Sequence, residues 1–153
     1  VIPTGNPEDP IGPVAFQMVI LDGSVALAWF FRDELDPYAE AVAARLPYLE
    51  LVVPVIWSLE IANSLIVGER RRRSTREEAE EWRGYVASLR LTVESQTTDR
   101  VFSSILNLAR THNLSAYDAS YLELALRLNL PLATLDRRLH AAAQTSGVTI
   151  FSP

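Results

Sequence analysis

A chain of 153 residues makes one ordinary domain with room for a substantial core, and 48% hydrophobic with 22% charged residues excludes a disordered tail. No apolar run approaches the ~18 residues of a membrane span, and the lack of cysteine excludes disulfides, thiolate catalysis and zinc–thiolate sites, which fits a cytoplasmic protein. All 14 basic residues are arginine, which excludes lysine-dependent phosphate loops and Schiff-base chemistry, and the net charge of −5 is not the usual basic footprint of a nucleic-acid-binding domain.

Residues 1–17 hold Pro3, Pro7, Pro10 and Pro13 and show neither helical nor alternating periodicity. Met18, the only methionine, stands directly before a compact apolar run. This pattern predicts a folded domain over 18–153 and a disordered or added extension over 1–17, with a native proline-rich arm as the alternative. Val19-Ile20-Leu21 predicts a short buried strand closed by Asp22. Ser24 stands where it can cap a largely buried helix from Val25 to Phe31. Pro37 opens a second helix that reaches Leu46. Leu51-Val52-Val53 predicts a second strand ended by Pro54, and a long helix follows from Val55 to Arg72. Ser74 is placed to cap the next helix, whose acidic opening (Glu77, Glu78, Glu80, Glu81) suits a positive helix end.

Leu91-Thr92-Val93 predicts a third strand. Asp99 to His112 reads as a helix with Val101, Ile105, Leu108 and Ala109 on one face, and His112 suits its negative end. Ser115 opens another helix that offers Leu122, Leu124, Ala125 and Leu128 to the core. Leu132-Ala133-Thr134-Leu135 predicts a fourth strand, Asp136 leads a helix to Gln144, Gly147 ends it, and Val148 to Phe151 predicts a last strand. Short apolar strands alternating with helices predict an α/β fold, a parallel sheet with helices on both faces. Such sheets bind ligands beyond the carboxyl ends of their strands.

Four acids fall at such ends. Asp22 closes the first strand, Asp136 the fourth, Asp118 lies in the first turn of the helix opened by Ser115, and Glu60 lies in the helix after the second strand. Each has a local explanation: Asp118 completes a capping pair with Ser115, Asp136 caps a helix, Asp22 favours a helix N-terminus, and Glu60 is a solvated helix residue. Their joint occurrence at the expected site favours a shared role. Clustered carboxylates do not all stay ionised without a cation. An oxygen-only donor set suits Mg²⁺ or Mn²⁺, and a divalent cation there serves phosphodiester hydrolysis. His112 and His140 form no evident pair, so imidazole-based ribonuclease chemistry is not indicated.

Four segments resemble, in order, the motifs of VapC-type PIN-domain toxins: Met18 to Trp29, Pro54 to Asn63, Tyr117 to Ala125, and Pro131 to Leu139. The resemblance spans Met18 to Phe151 and implies a PIN-like three-layer α/β/α fold with a short, mainly parallel central sheet. It implies a metal-dependent endoribonuclease that inhibits translation, and a metal-generated hydroxide as nucleophile would leave 5′-phosphate and 3′-hydroxyl ends. Asp22, Glu60, Asp118 and Asp136 are then the catalytic, metal-binding acids. Ser24 and Thr134 are supporting hydroxyls, and Asn63 is a supporting or substrate-contacting residue. The family's usual alanine or threonine after the first aspartate is Gly23 here, which leaves the pose of Asp22 open. The resemblance also implies a homodimer and a VapB-like antitoxin that blocks the acidic site.

Arg70, Arg71, Arg72, Arg73 and Arg76 end the long helix, either as a solvated terminus favourable to the dipole or as a phosphate-contacting RNA patch. Trp82 and Tyr85 either pack or stack bases, and Trp29 and Trp57 fall on apolar faces expected in the core. A catalytically silent PIN-like module that binds RNA or protein is the other function class open to this sequence. A phosphoacceptor receiver domain shares acidic strand ends, but its usual lysine is missing.

Overall fold

The computed structural model describes residues 15–153, so most of the extension expected over 1–17 lies outside the described residues. Among the described residues the strands are β1 (Gln17–Leu21), β2 (Leu49–Pro54), β3 (Leu91–Glu94) and β4 (Leu132–Ala133), joined in one parallel sheet of order β3-β2-β1-β4. The helices are α1 (Gly23–Phe30), α2 (Pro37–Arg45), α3 (Ile56–Arg70), α4 (Arg76–Ala87), α5 (Thr98–Arg100), α6 (Leu106–His112), α7 (Ala116–Leu128) and α8 (Arg137–Thr145).

Parallel strands buried on both faces read as unbroken apolar runs. Val19, Ile20, Leu21, Val52 and Val53 are fully buried, and Leu132 and Ala133 join them. α7 packs across β1, β2 and β4 with α6 and α8 beside it, while α1 packs against α2 and α3. The α/β fold with a parallel sheet flanked by helices is therefore as expected. The strand order places a topological switch point between β1 and β4, because the chain runs outward to β2 and β3 before returning to the other side of β1. No helix among the described residues is long and apolar enough to cross a membrane.

Several elements differ from expectation at their edges. β4 stops at Ala133, and the last predicted strand contracts to a single bridge between Leu132 and Ile150. Two backbone bonds at 2.9 Å suffice there, Leu132 N–H to the Thr149 carbonyl and Phe151 N–H to the Leu132 carbonyl. The helix predicted from Asp99 to His112 is interrupted by a π-helical turn over Val101–Ile105. Ile105 and Ala109 still pack with Ala119 in a satellite core. Thr75, not Ser74, caps α4, through a reciprocal capping box with Glu78.

Between α3 and α4 the backbone turns through Arg72 in the left-handed region (φ 57°). Close packing at Gly68 determines how this turn meets α1. A Cβ on Gly68 would stand 2.7 Å from Phe31 Cε1, on a ring that is itself buried. Gly84, exposed within α4, has nothing within 4 Å of such a Cβ. Gly68→Ala is expected to destabilise the fold by about 1–3 kcal/mol through overpacking. Gly84→Ala is expected to stabilise it by about 0.5–1 kcal/mol through helix propensity. Urea unfolding of both variants beside the wild type checks the opposite signs, and a neutral Gly68→Ala would remove the packing constraint.

Candidate active site

The register of β1 with β4 builds the first part of the site. Leu21 lies opposite Ala133, which brings the following residues, Asp22 and Thr134, side by side. The Asp22 amide donates to the Ala133 carbonyl at 3.0 Å. Thr134 Oγ1 donates to Asp22 Oδ2 at 2.7 Å, and Ser24 Oγ donates to the same oxygen at 2.5 Å. Each hydroxyl in turn accepts an amide from the turn after β4, Asp136 N–H on Thr134 Oγ1 and Leu135 N–H on Ser24 Oγ, both at 3.0 Å. Two relays thus tie the ends of β1 and β4 together through one carboxylate oxygen. Asp22 itself holds the N-cap position of α1, and Ser24 serves this tie instead of the cap expected of it.

The other three acids follow the same economy. Asp136 caps α8, its Oδ1 accepting the Leu139 amide at 2.8 Å. Asp118 Oδ2 accepts from Ser115 Oγ at 2.8 Å, and the Asp118 amide donates to that hydroxyl at 3.0 Å. Glu60 Oε2 accepts the phenol O–H of Tyr121, which comes from α7 and is fully buried. The local capping explanations for Asp118 and Asp136 are therefore correct as far as they reach. In every case one carboxylate oxygen is held and the other has no protein donor among the described residues.

Electrostatics show that the acids sense one another. Burial pushes the Asp22 carboxyl above its ordinary value, the Ser24 and Thr134 hydroxyls pull it back, and the charges of Asp118 and Asp136 push it up again. Burial likewise raises Glu60, the Tyr121 hydrogen bond opposes this, and Asp22 and Asp118 add to the rise. No ion pair among the described residues reaches any of the four. Nor do three of these carboxylates converge into a ready-made metal cage among the described residues. The donor set, oxygen-only and free of any basic partner, fits a hard divalent cation.

The remaining predicted residues divide. Asn63, one turn beyond Glu60 on α3, is exposed. Arg70, Arg71, Arg72 and Arg76 are exposed, but Arg73 is engaged. Its guanidinium lies 4.0 Å from the Phe31 ring centroid and pairs with Asp33 at 2.8 Å and Glu34 at 2.6 Å. Arg70 stands about 15 Å along the helix from Glu60, beyond a Debye length at physiological salt, so the run does not neutralise the acids. Trp57 is core, Trp29 is half-buried and donates to the Ala39 carbonyl at 2.7 Å, and Trp82 packs on Phe30 with ring centroids 5.3 Å apart. Tyr121 was not singled out from the sequence. Its signal was present: three residues after Asp118 it shares that acid's helix face, and a buried tyrosine needs a partner for its hydroxyl.

The PIN domain family model matches residues 19–144. A VapC ribonuclease of Mycobacterium bovis and Ribonuclease VapC9 of Mycobacterium tuberculosis are each 34% identical over 131 residues, 83% of this chain and 92% of theirs. The chain is a PIN-domain protein of the VapC family. Solved structures agree on the fold. PAE2754 from Pyrobaculum aerophilum superposes with a TM-score of 0.60 at 22% identity, covering 86% of this chain and 87% of its own. FitAcB from Neisseria gonorrhoeae gives 0.60 at 18%, covering 89% and 98%. A toxin–antitoxin complex from Klebsiella pneumoniae gives 0.55 at 15%, covering 77% and 86%.

Gly23, the departure from the VapC pattern, proves undemanding. A Cβ there would meet Ile61 Cδ1 and Tyr121 Oη at 3.8 Å, ordinary contact distance. The pose of Asp22 in this PIN domain comes from Ser24 and Thr134, not from residue 23.

Because burial raises Asp22 and Glu60, folding disfavours their ionised forms relative to the unfolded chain. Their contribution to stability is full below the ordinary carboxyl range and is lost as pH rises through the raised values. Asp22→Asn keeps an acceptor for both hydroxyls and removes the charge. It is expected to melt above the wild type in chelator near neutral pH, with the gap closing as pH falls to about 4. Melting curves across that range check this, and a variant melting below the wild type at neutral pH would contradict it.

Proposed function

We propose that this VapC-family chain is an Mg²⁺- or Mn²⁺-dependent endoribonuclease, the toxin of a VapBC-type pair that acts on cytoplasmic RNA and inhibits translation. One observation carries the reading: at the sheet's switch point Asp22 senses the charges of Asp118 and Asp136, and Glu60 those of Asp22 and Asp118, while among the described residues no ion pair reaches any of the four and each has one oxygen held and one free. These four would hold the cation. When bound, it supplies Lewis acidity for phosphodiester hydrolysis at neutral pH. The names of the mycobacterial relatives, both ribonucleases, support RNA as the substrate.

The protein's own groups then have distinct tasks. Ser24 and Thr134 orient Asp22 through direct hydrogen bonds to its Oδ2 and leave Oδ1 for the cation. Exposed Arg70, Arg71, Arg72 and Arg76 offer backbone phosphates a cationic strip remote from the acids, and Asn63 lies between the two regions on α3. Arg73, committed to Asp33 and Glu34, is assigned to the α3–α4 turn and leaves the RNA patch expected from the sequence. An antitoxin and a second copy of the chain are the proposed protein partners. The toxin–antitoxin complex among the structural neighbours supports the former. A purely binding module would gain nothing from four mutually repelling acids.

Asp118→Asn is expected to keep the wild-type melting temperature within a few degrees and to lose RNA cleavage more than about 100-fold, beyond what loss of a supporting group costs. The assay incubates protein free of antitoxin with total tRNA and ribosomal RNA in Mg²⁺, Mn²⁺ or chelator. Fragments formed equally by the variant, or formed in chelator, would overturn the assignment.

A further inference from the structure

Tyr121 lies outside every motif position to which a role in the chemistry was given, yet its phenol is the group that holds Glu60. Glu60 most needs such a hold. It extends from α3 on a long, flexible side chain, it is only half-buried, and Asp22 and Asp118 repel it. Asp22 has two hydroxyl donors and Asp118 and Asp136 each lie beside their own cap, whereas Glu60 has Tyr121 alone among the described residues. The tyrosine cannot yield, because its ring is fully buried within the main core. The phenol oxygen also lies close to Gly23, the residue directly after Asp22, 3.8 Å from where a Cβ there would stand. α7 therefore presents Asp118 and, one turn later, a rigid hydroxyl that meets Glu60 beside the end of β1.

The chemistry of this anchor matters as much as its place. Arginine at this position would hold Glu60 firmly but would also neutralise it, and a divalent cation would have to compete with the guanidinium. A phenol donates one hydrogen bond and leaves the negative charge in place. Oε2 is held and Oε1 stays available.

We propose that Tyr121 is a positioning residue for the metal site: its neutral hydroxyl fixes Glu60 Oε2 against the repulsion of Asp22 and Asp118 so that Oε1 is presented to the divalent cation. The inference rests on the metal-dependent reading above. It implies that Tyr121 contributes to cation affinity through Glu60 and through no other group.

The test uses the full chain without RNA and follows Mn²⁺ binding by loss of the free-ion electron paramagnetic resonance signal. Tyr121→Phe keeps the ring and removes only the oxygen. It is expected to weaken Mn²⁺ binding about 10-fold or more, as loss of a partner that orients a ligand does. In a Glu60→Gln background the same change should cost less than about twofold, because the group it acts through is already lost. Unchanged affinity in Tyr121→Phe, or an equal loss in both backgrounds, overturns the inference while leaving the metal site standing. A wild type that binds no Mn²⁺ overturns the metal reading and the inference with it. Where Tyr121→Phe does not fold, ¹³C-tyrosine spectra of the wild type decide, with the Tyr121 resonance assigned by single Phe replacements of the other four tyrosines. That resonance is expected to shift on Mg²⁺ addition and to stay in place in Glu60→Gln, and a resonance that ignores Mg²⁺ in the wild type counts against the proposal.

Discussion

Repulsion among four carboxylates is the constraint around which this molecule is organised. Gathering them costs free energy, since burial and mutual charge disfavour the ionised form of Asp22 and Glu60. The sheet supplies what opposes that cost. β1, β2 and β4 form a fully buried apolar centre, and their carboxyl ends carry or adjoin the acids. Because the strands are rigid and their register is set by burial on both faces, Asp22 cannot move away from Thr134 without breaking the β1–β4 pairing. Hydroxyls and, at Asp136, a backbone amide do the local holding rather than cations.

The fold shows elsewhere what it does with an acid that is purely structural. Glu123, on the same helix as Asp118, is buried and accepts from Arg100 at 3.0 Å, Arg127 at 3.1 Å and Gln96 at 3.2 Å. Asp33 and Glu34 share Arg73. The protein thus has arginines enough to satisfy buried or clustered acids and directs them away from one group of four. Two helical turns of α7 contain both treatments. The contrast supports the reading that the four acids, one buried and three half-buried, are left for an external cation.

Much of this was legible in the residues. Apolar runs located β1 and β2 to within a few positions, since parallel strands buried on both faces leave an unbroken signal, and β3, a half-exposed edge strand, was legible from its short apolar and β-branched run. The four acids were legible because strand ends and capping positions are short-range features. Longer-range chemistry was not. Ser24 stands where a cap is expected, yet its hydroxyl bridges Asp22 to Leu135, a partner 111 residues away. Tyr121 read as one more apolar helix position, because nothing local reveals that its hydroxyl meets Glu60 across 61 residues. The arginine run read as uniform, whereas the left-handed turn at Arg72 swings Arg73 back onto Phe31, Asp33 and Glu34. The last strand shrank to a bridge because it pairs with a β4 only two residues long.

The central claim is that the four acids are one cation site, and a crystal of this protein soaked in Mn²⁺ tests it most directly. Anomalous diffraction at the manganese edge locates the ion without reference to activity or to any partner. The account predicts a peak at the carboxyl end of β1 and β4, at about 2.0–2.3 Å from oxygens of at least two among Asp22, Glu60, Asp118 and Asp136, with waters completing the shell. A saturating soak that leaves those carboxylates without a peak, or that places manganese only on acids outside the group, would contradict it.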